Sequence, residues 1–284
     1  MNYDSPKEIK SVLDDLGIRL KKRWGQNFLI NRGARRKILS LLDAQKNDLV
    51  WEIGPGLGSL TNELLFLTGK LFCFELDRGL IAYLQETFAG NENFILIPGD
   101  VLKTWKGTAD KYGMPERVVG NLPYSSASAI IAALVENNCL PSRMIFTVQK
   151  ELAQRMTAPV GNKNYSSFAI LCQFAFSIRS HGDLKPGSFF PVPEVTSTII
   201  ELQPRNDLSA PVDRDLFLTL LKSLFVSRRK TIRNNLLSGW AATRYREDIL
   251  LKALELSHID PGIRGEELPV EAFIRLADNL QRLG

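Results

Sequence analysis

The stretch that most constrains this chain is a short apolar run, Asp48 to Ile53 (DLVWEI). It passes directly into the glycine cluster Gly54-Pro-Gly56-Leu-Gly58 and then into Ser59 to Leu67, whose apolar residues recur at helical spacing. Strand, tight turn and helix in that order open an α/β sheet. The alternation continues: Lys70 to Glu75, Phe94 to Pro98, Arg117 to Gly120 and Arg143 to Val148 read as strands, with helical patterns at Arg78 to Phe88 and Ser126 to Glu136. Strands joined by crossover helices run parallel, so a doubly wound, mostly parallel sheet is expected. Glu151 to Arg155 and Phe168 to Phe176 read as further helix and strand material, and Thr196 to Leu202 (TSTIIEL) as a last strand before Pro204.

Arg205 to Pro211 (RNDLSAP) is a polar, proline-bounded linker, and beyond it the spacing is helical: Leu216 to Phe225, Lys230 to Leu237, Tyr245 to Glu255 and Val270 to Leu280. Two domains follow, 1–204 and 205–284. No window approaches the run of about 18 apolar residues that a membrane span needs, and Met1 to Leu20 has no apolar signal core, which predicts a cytoplasmic protein. Cys73, Cys139 and Cys172 form no CxxC pair, and the only histidines are His181 and His258. Neither a disulfide framework nor a metal site is expected.

The net charge of +5 is modest, but its distribution is not. Arg19 to Lys37 holds eight Lys/Arg and no acid, and Leu221 to Arg246 holds seven and no acid. Acid-free runs of this kind suit a polyanion, although a solvated helix face has the same composition. Arg228, Arg229, Lys230 and Arg233 are the candidate nucleic-acid contacts.

A glycine cluster between a first strand and a first helix lets backbone approach a nucleotide-like ligand. Gly54, Gly56 and Gly58 meet that need. Glu75, at the end of the second strand, can accept from both ribose hydroxyls of an adenosine-containing cofactor, which fits S-adenosylmethionine and NAD equally. Asp100 ends the third strand at the same edge and can either meet an adenine amine or cap the next helix. Asn121-Leu122-Pro123-Tyr124, ending the fourth strand, addresses a more specific problem. An aromatic amine is a poor nucleophile because its lone pair is delocalised into the ring. The Asn121 side-chain oxygen and the Leu122 carbonyl, held outward by Pro123, can each take one amine hydrogen, and Tyr124 offers a stacking face. The same tetrapeptide could be an ordinary strand-ending turn. Phe189-Phe190-Pro191-Val192-Pro193 is a second aromatic-proline segment, from which Phe189 could close over the other face of a flipped-out base.

With these residues in view, the chain resembles the small-subunit (16S) ribosomal RNA adenine-N6,N6-dimethyltransferase family. The resemblance is carried by Lys22 to Leu29, Glu52 to Thr61, Glu75-Leu-Asp77, Gly99-Asp100, Val119 to Tyr124, Val148 to Glu151, Phe189 to Ser197, Ser227 to Asn235 and Arg264 to Phe273. It implies a Rossmann-like S-adenosylmethionine-dependent domain with a seven-stranded sheet and a small C-terminal all-α domain. S-adenosylmethionine, leaving as S-adenosylhomocysteine, is the implied cofactor, with no metal. Gln26, Asn27 and Leu29 would line its pocket, Gly54, Gly56 and Glu75 would meet its methionine and ribose portions, and Asp100 its adenine. Asn121, Leu122, Tyr124 and Phe189 would hold the target base, and Asn121 would meet the cofactor as well. The family dimethylates two adjacent adenosines in a hairpin near the 3′ end of 16S RNA within the immature (pre-30S) subunit, and a monomer is expected. Asn31 stands where the family usually has an acid, and Ser125 where asparagine is frequent. Rival readings are the 23S RNA adenine methyltransferase of macrolide resistance and a non-catalytic assembly factor.

Overall fold

A computed structural model describes residues 1–18 and 26–284. Residues 19–25 of the first basic run, and with them Lys22 to Gly25 of the motif ending in Leu29, lie outside the described residues. The chain packs as two compact units, 1–153 with 177–204 and 154–176 with 205–284. The segment 154–176 therefore belongs with the helical unit, whereas the sequence reading placed it in the first domain.

In the first unit α1 (Pro6–Asp15), β1 (Phe28–Leu29) and α2 (Arg32–Leu42) come before the sheet. There follow β2 (Leu49–Ile53), α3 (Thr61–Leu64), β3 (Lys70–Glu75), α4 (Arg78–Phe88), β4 (Phe94–Pro98), α5 (Val101–Tyr112), β5 (Arg117–Asn121), α6 (Ala127–Glu136), β6 (Arg143–Gln149) and α7 (Lys150–Met156). After the excursion through 154–176 the chain returns as β7 (Phe176–Leu184), β8 (Phe189–Phe190) and β9 (Ser197–Pro204). Seven strands form one sheet in the order β4-β3-β2-β5-β6-β9-β7, and β1 pairs with β8 in a separate two-stranded piece. From β4 to β6 neighbouring strands are parallel, while β9 runs antiparallel to β6.

The alternation of strand side chains divides the core. One face, carrying Val50, Leu71, Cys73, Val119, Ile145 and Ile199, packs with Ala34, Ile38 and Leu42 of α2 and Leu84 and Phe88 of α4. On the other, the Trp51 ring meets Phe74 edge-on at 5.1 Å and lies 6.4 Å from Trp105 of α5. Such parallel strands, covered on both faces, are near-continuous apolar runs, which is why their limits were legible in the sequence. The edge strand β7 was not: its FSIRSHGDL pattern is largely solvent-facing, as suits an edge. The helix expected over Ser59 to Leu67 shrinks to α3, flanked by turns, with no side-chain cap at Leu60. Asn31, the family departure, caps α2 by accepting from the Ala34 N–H at 2.9 Å, a task its usual acid would also do.

The second unit contains α8 (Ser167–Ala175), α9 (Arg214–Leu224), α10 (Ile232–Ser238), α11 (Trp240–Arg244), α12 (Glu247–Leu256) and α13 (Val270–Leu283). Its core includes the Phe174–Phe217 ring pair at 4.6 Å, and buried Tyr165 donates its hydroxyl to the Leu268 carbonyl at 3.0 Å. Tyr165 and Phe174 come from 154–176, so that segment supplies core to this unit.

Candidate active site

The chain order runs outward from β2 to β3 and β4, then returns to β5 and β6 on the other side of β2. The point where the direction reverses, outside the carboxyl ends of β2 and β5, is where open α/β sheets bind ligands. Two glycines shape it. Gly56 has φ of 61°, and a Cβ there would come within 3.0 Å of the Phe28 ring. Gly120 lets β5 close on the end of β2, since a Cβ on it would lie 2.5 Å from the Ile53 carbonyl oxygen.

A pocket opens at this point, and Gln26, Asn27, Leu29, Gly54, Gly56, Glu75 and Asn121 line it. These are seven of the eight positions expected to meet a cofactor. Phe28, Glu52, Ser59, Leu60, Leu80 and Pro123 line it as well. Asp100 is absent from this lining; its Oδ1 accepts from the Leu102 N–H at 3.0 Å and caps α5. Glu52, the first residue of the Glu52 to Thr61 motif, is a lining residue to which the sequence alone assigns no role. The available signal was an acid at the end of an otherwise apolar strand, just before the glycine turn.

Both pocket acids are buried. Glu52 accepts from the Thr61 hydroxyl at 2.7 Å and the Cys73 thiol at 3.5 Å, and burial pushes its pKa to about 7 against those donors. Glu75 Oε1 accepts from the backbone N–H groups of Leu76 (2.8 Å) and Asp77 (2.9 Å), and Oε2 from Gly56 at 3.3 Å. Burial outweighs these donors and raises it, too, to about 7. Among the described lining residues none is basic. The two carboxyl groups of this lining suit a positively charged ligand.

Asn121 ends β5 with its amide nitrogen donating to the Asn27 carbonyl at 2.6 Å, while its Oδ1 is buried without a partner. A buried acceptor left unpaired is costly unless a ligand supplies the donor. The Leu122 N–H donates to the Thr147 carbonyl at 3.1 Å, and the Tyr124 hydroxyl lies 2.5 Å from Ser197 Oγ. Phe189 overturns its expected role. Its ring is 0% exposed and belongs to the core with Leu29, Val119 and Ile199, so it presents no face to a base. The strand alternates, and its neighbour Phe190, half-buried, packs near Phe28, a pocket residue.

In the second unit Arg228 is occupied: its guanidinium bonds the Glu266 carboxylate and the Tyr165 carbonyl. Arg233 pairs with Glu247 at 3.2 Å, and Lys230 donates to the Ser238 hydroxyl at 3.1 Å. Arg229 is exposed. Among the described residues no cluster of His, Cys, Asp or Glu is gathered as metal ligands would be, and no helix is long and apolar enough to cross a membrane. All three cysteines are free thiols and buried.

Strand order, glycine turn and the acid closing β3 together define a Rossmann-like methyltransferase fold. The family described as ribosomal RNA adenine dimethylase matches residues 17–281, and the chain belongs to it. A protein of Treponema denticola named ribosomal RNA small subunit methyltransferase A is 40% identical over 284 residues, spanning 99% of this chain and 97% of the relative. One of the same name from Borreliella burgdorferi is 38% identical over 281 residues, spanning 99% and 95%. Among solved structures, a dimethyladenosine transferase from Plasmodium falciparum has a TM-score of 0.73 at 26% identity, covering 87% of this chain and 94% of that one. The 23S rRNA methyltransferase ErmE shares the fold, with a TM-score of 0.65 at 24% identity over 90% of this chain and all of its own.

Proposed function

We propose that this chain uses S-adenosylmethionine to dimethylate the N6 amines of two adjacent adenosines in a hairpin near the 3′ end of 16S ribosomal RNA, in the immature small subunit. Its relatives at 38–40% identity over nearly their whole length carry a small-subunit name, which favours this over the 23S reading. The observation that carries the chemistry is the buried, unpartnered Oδ1 of Asn121, on a residue that lines the pocket.

The pocket fits the cofactor in charge: two carboxyl groups face a ligand that bears a sulfonium and an ammonium. S-adenosylmethionine would supply a methyl group activated by its positively charged sulfur. Glu75 Oε2, with one donor at 3.3 Å, keeps capacity for ribose hydroxyls, and Gln26, Asn27, Leu29, Gly54 and Gly56 would form the walls. Asp100 would turn the oxygen not used in its cap toward the adenine.

For the base, the Asn121 Oδ1 and the Leu122 carbonyl would each accept one N6 hydrogen, drawing the nitrogen toward tetrahedral geometry, while Tyr124 stacks on the ring. Once methylated, the amine is a cation and loses its proton readily, so the site needs no strong base. Arg229, with Lys230 and the ion-paired Arg228 and Arg233 beside it, would contribute to docking the RNA. We further infer that the protein works as a cytoplasmic monomer.

The test is transfer of tritiated methyl groups to small subunits lacking the modification, followed by mapping of labelled nucleosides. N6,N6-dimethyladenosine at two adjacent positions is expected. Label on large-subunit RNA or DNA, or none on small subunits, overturns the reading.

A further inference from the structure

We propose that Ser197 is a positioning residue for methyl transfer, acting through the hydroxyl of Tyr124. The proposal rests on the reading that Tyr124 is the stacking face for the target base. The two hydroxyl oxygens lie 2.5 Å apart, a short hydrogen bond between strand β9 and the loop that ends β5. Ser197 is 0% exposed and is the first residue of β9, set opposite Gln149 by the antiparallel ladder with β6. Its hydroxyl therefore cannot turn to water, and a buried hydroxyl without a partner is costly. The bond to Tyr124 satisfies it.

The consequence for Tyr124 is geometric. Rotation about the first side-chain torsion swings a tyrosine hydroxyl through an arc, whereas the oxygen lies on the axis of the second. The bond to Ser197 therefore fixes the direction in which the ring projects, and bears on its plane only through the preference of a phenolic O–H to lie in that plane. The near end is held by the backbone: the N–H groups of Ser126 and Ala127 both donate to the Pro123 carbonyl, closing the turn that contains Tyr124. With both ends held, the place and direction of the half-buried ring are set before a base arrives. Pre-set orientation of this kind is what brings a stacked purine amine into line with its electrophile without an entropic penalty at the moment of reaction.

Ser197 also connects Tyr124 to the cofactor wall. Seven residues before it in the same segment, Phe190 pairs with Phe28, and Phe28 and Leu29 line the pocket. The stretch from Phe189 to Ser197 thus touches one wall of the pocket at its start and the Tyr124 hydroxyl at its end.

The experiment compares wild type, Ser197→Ala, Ser197→Thr, Tyr124→Phe and the Ser197→Ala/Tyr124→Phe double variant in single-turnover methyl transfer to unmodified small subunits. S-adenosylhomocysteine affinity and Tm are measured alongside. We expect Ser197→Ala and Tyr124→Phe each to slow transfer by roughly 10- to 100-fold, since misplacing a reacting group by about 1 Å can cost about 10²-fold. The double variant should be no slower than either single, cofactor affinity should be unchanged, and Ser197→Thr should recover most of the rate. A wild-type rate in Ser197→Ala, or losses that multiply in the double variant, overturns the positioning role. A loss in Ser197→Ala that tracks a fall in Tm and is matched by lost cofactor affinity does so as well. A wild-type protein that does not methylate small subunits instead removes the functional reading, and this proposal with it.

Discussion

The side-chain amide of Asn121 donates to the backbone carbonyl of Asn27 at 2.6 Å. That single bond decides which end of the amide is which: nitrogen toward the N-terminal wall, oxygen left as the buried acceptor. Asn121→Ala removes the acceptor and should slow methyl transfer by at least about 10²-fold, as loss of a positioned transition-state group does. Asn121→Asp cannot donate to Asn27 and should be slowed as well. Single-turnover transfer with saturating cofactor measures both; near-normal rates in either variant would remove Asn121 from the chemistry.

Glu52 makes stability depend on pH. Its pKa is about 7 in the folded chain against 4.5 for a free glutamate, so its protonated form is favoured by folding. A raised folded-state pKa contributes stability that is fully present below pH 4.5 and is lost as pH rises toward 7. At roughly 1.4 kcal/mol per unit, the wild type should lose up to about 3 kcal/mol relative to Glu52→Gln across that window and then level off. Urea unfolding of both proteins at pH 4.5 to 8 checks this. A difference between them that does not change with pH would refute the assignment.

Glu75 makes cofactor affinity depend on pH in the opposite sense. Accepting from ribose hydroxyls and facing a cation both favour the ionised carboxylate, whose pKa in the free protein is about 7. Affinity for S-adenosylmethionine should therefore weaken on going from pH 8 to pH 6, by about tenfold per unit at most. Glu75→Gln should bind weakly and with a flatter profile. Calorimetric titration at three pH values is sufficient, and a wild-type affinity that rises on acidification would contradict the role.

Arg228 and Arg229 adjoin in sequence and should separate in function. Arg228 is engaged by Glu266 and the Tyr165 carbonyl, so Arg228→Ala should lower Tm. Arg229 is exposed, so Arg229→Glu should leave Tm unchanged while weakening binding to small subunits and reducing the slope of log K against log salt by about one. An unaltered slope in Arg229→Glu would take it out of the RNA interface.

Gly120→Ala should injure the site from behind. The added Cβ would meet the Ile53 carbonyl oxygen at 2.5 Å, and neither backbone has room to move without separating β5 from β2. Lower Tm with lost cofactor binding is expected, by thermal melting and titration. Wild-type binding in this variant would mean the sheet edge tolerates the separation.

Much of this was legible in the sequence for physical reasons. β3 and β4 are delimited to the residue because each is an apolar run stopped by a charged, glycine or proline residue. The glycine turn, Glu75 and Asn121 followed, since in a parallel sheet the ends of such runs share one edge. The failures are equally specific. A two-residue strand has no periodicity, so nothing in Phe189-Phe190 says which ring turns inward. Arg228 is partnered by a residue 38 positions away, and a run of bases does not reveal such a partner. The segment 154–176 is contiguous in sequence with β6 but packs with helices that lie beyond residue 205. Burial of Glu52 depends on three strands at once.

The pairing of Phe28 and Leu29 with Phe190 and Phe189 joins stretches of chain about 160 positions apart through a ladder only two residues long. A ladder of two residues has few backbone hydrogen bonds with which to offset the entropy of closing so long a loop, so it is expected to open more readily than the central strands. The pocket wall formed by β1 is therefore the part of the molecule whose hydrogen-exchange protection should respond most to cofactor, and ligand occupancy would be reported from β1 and β8 while the central strands stay silent.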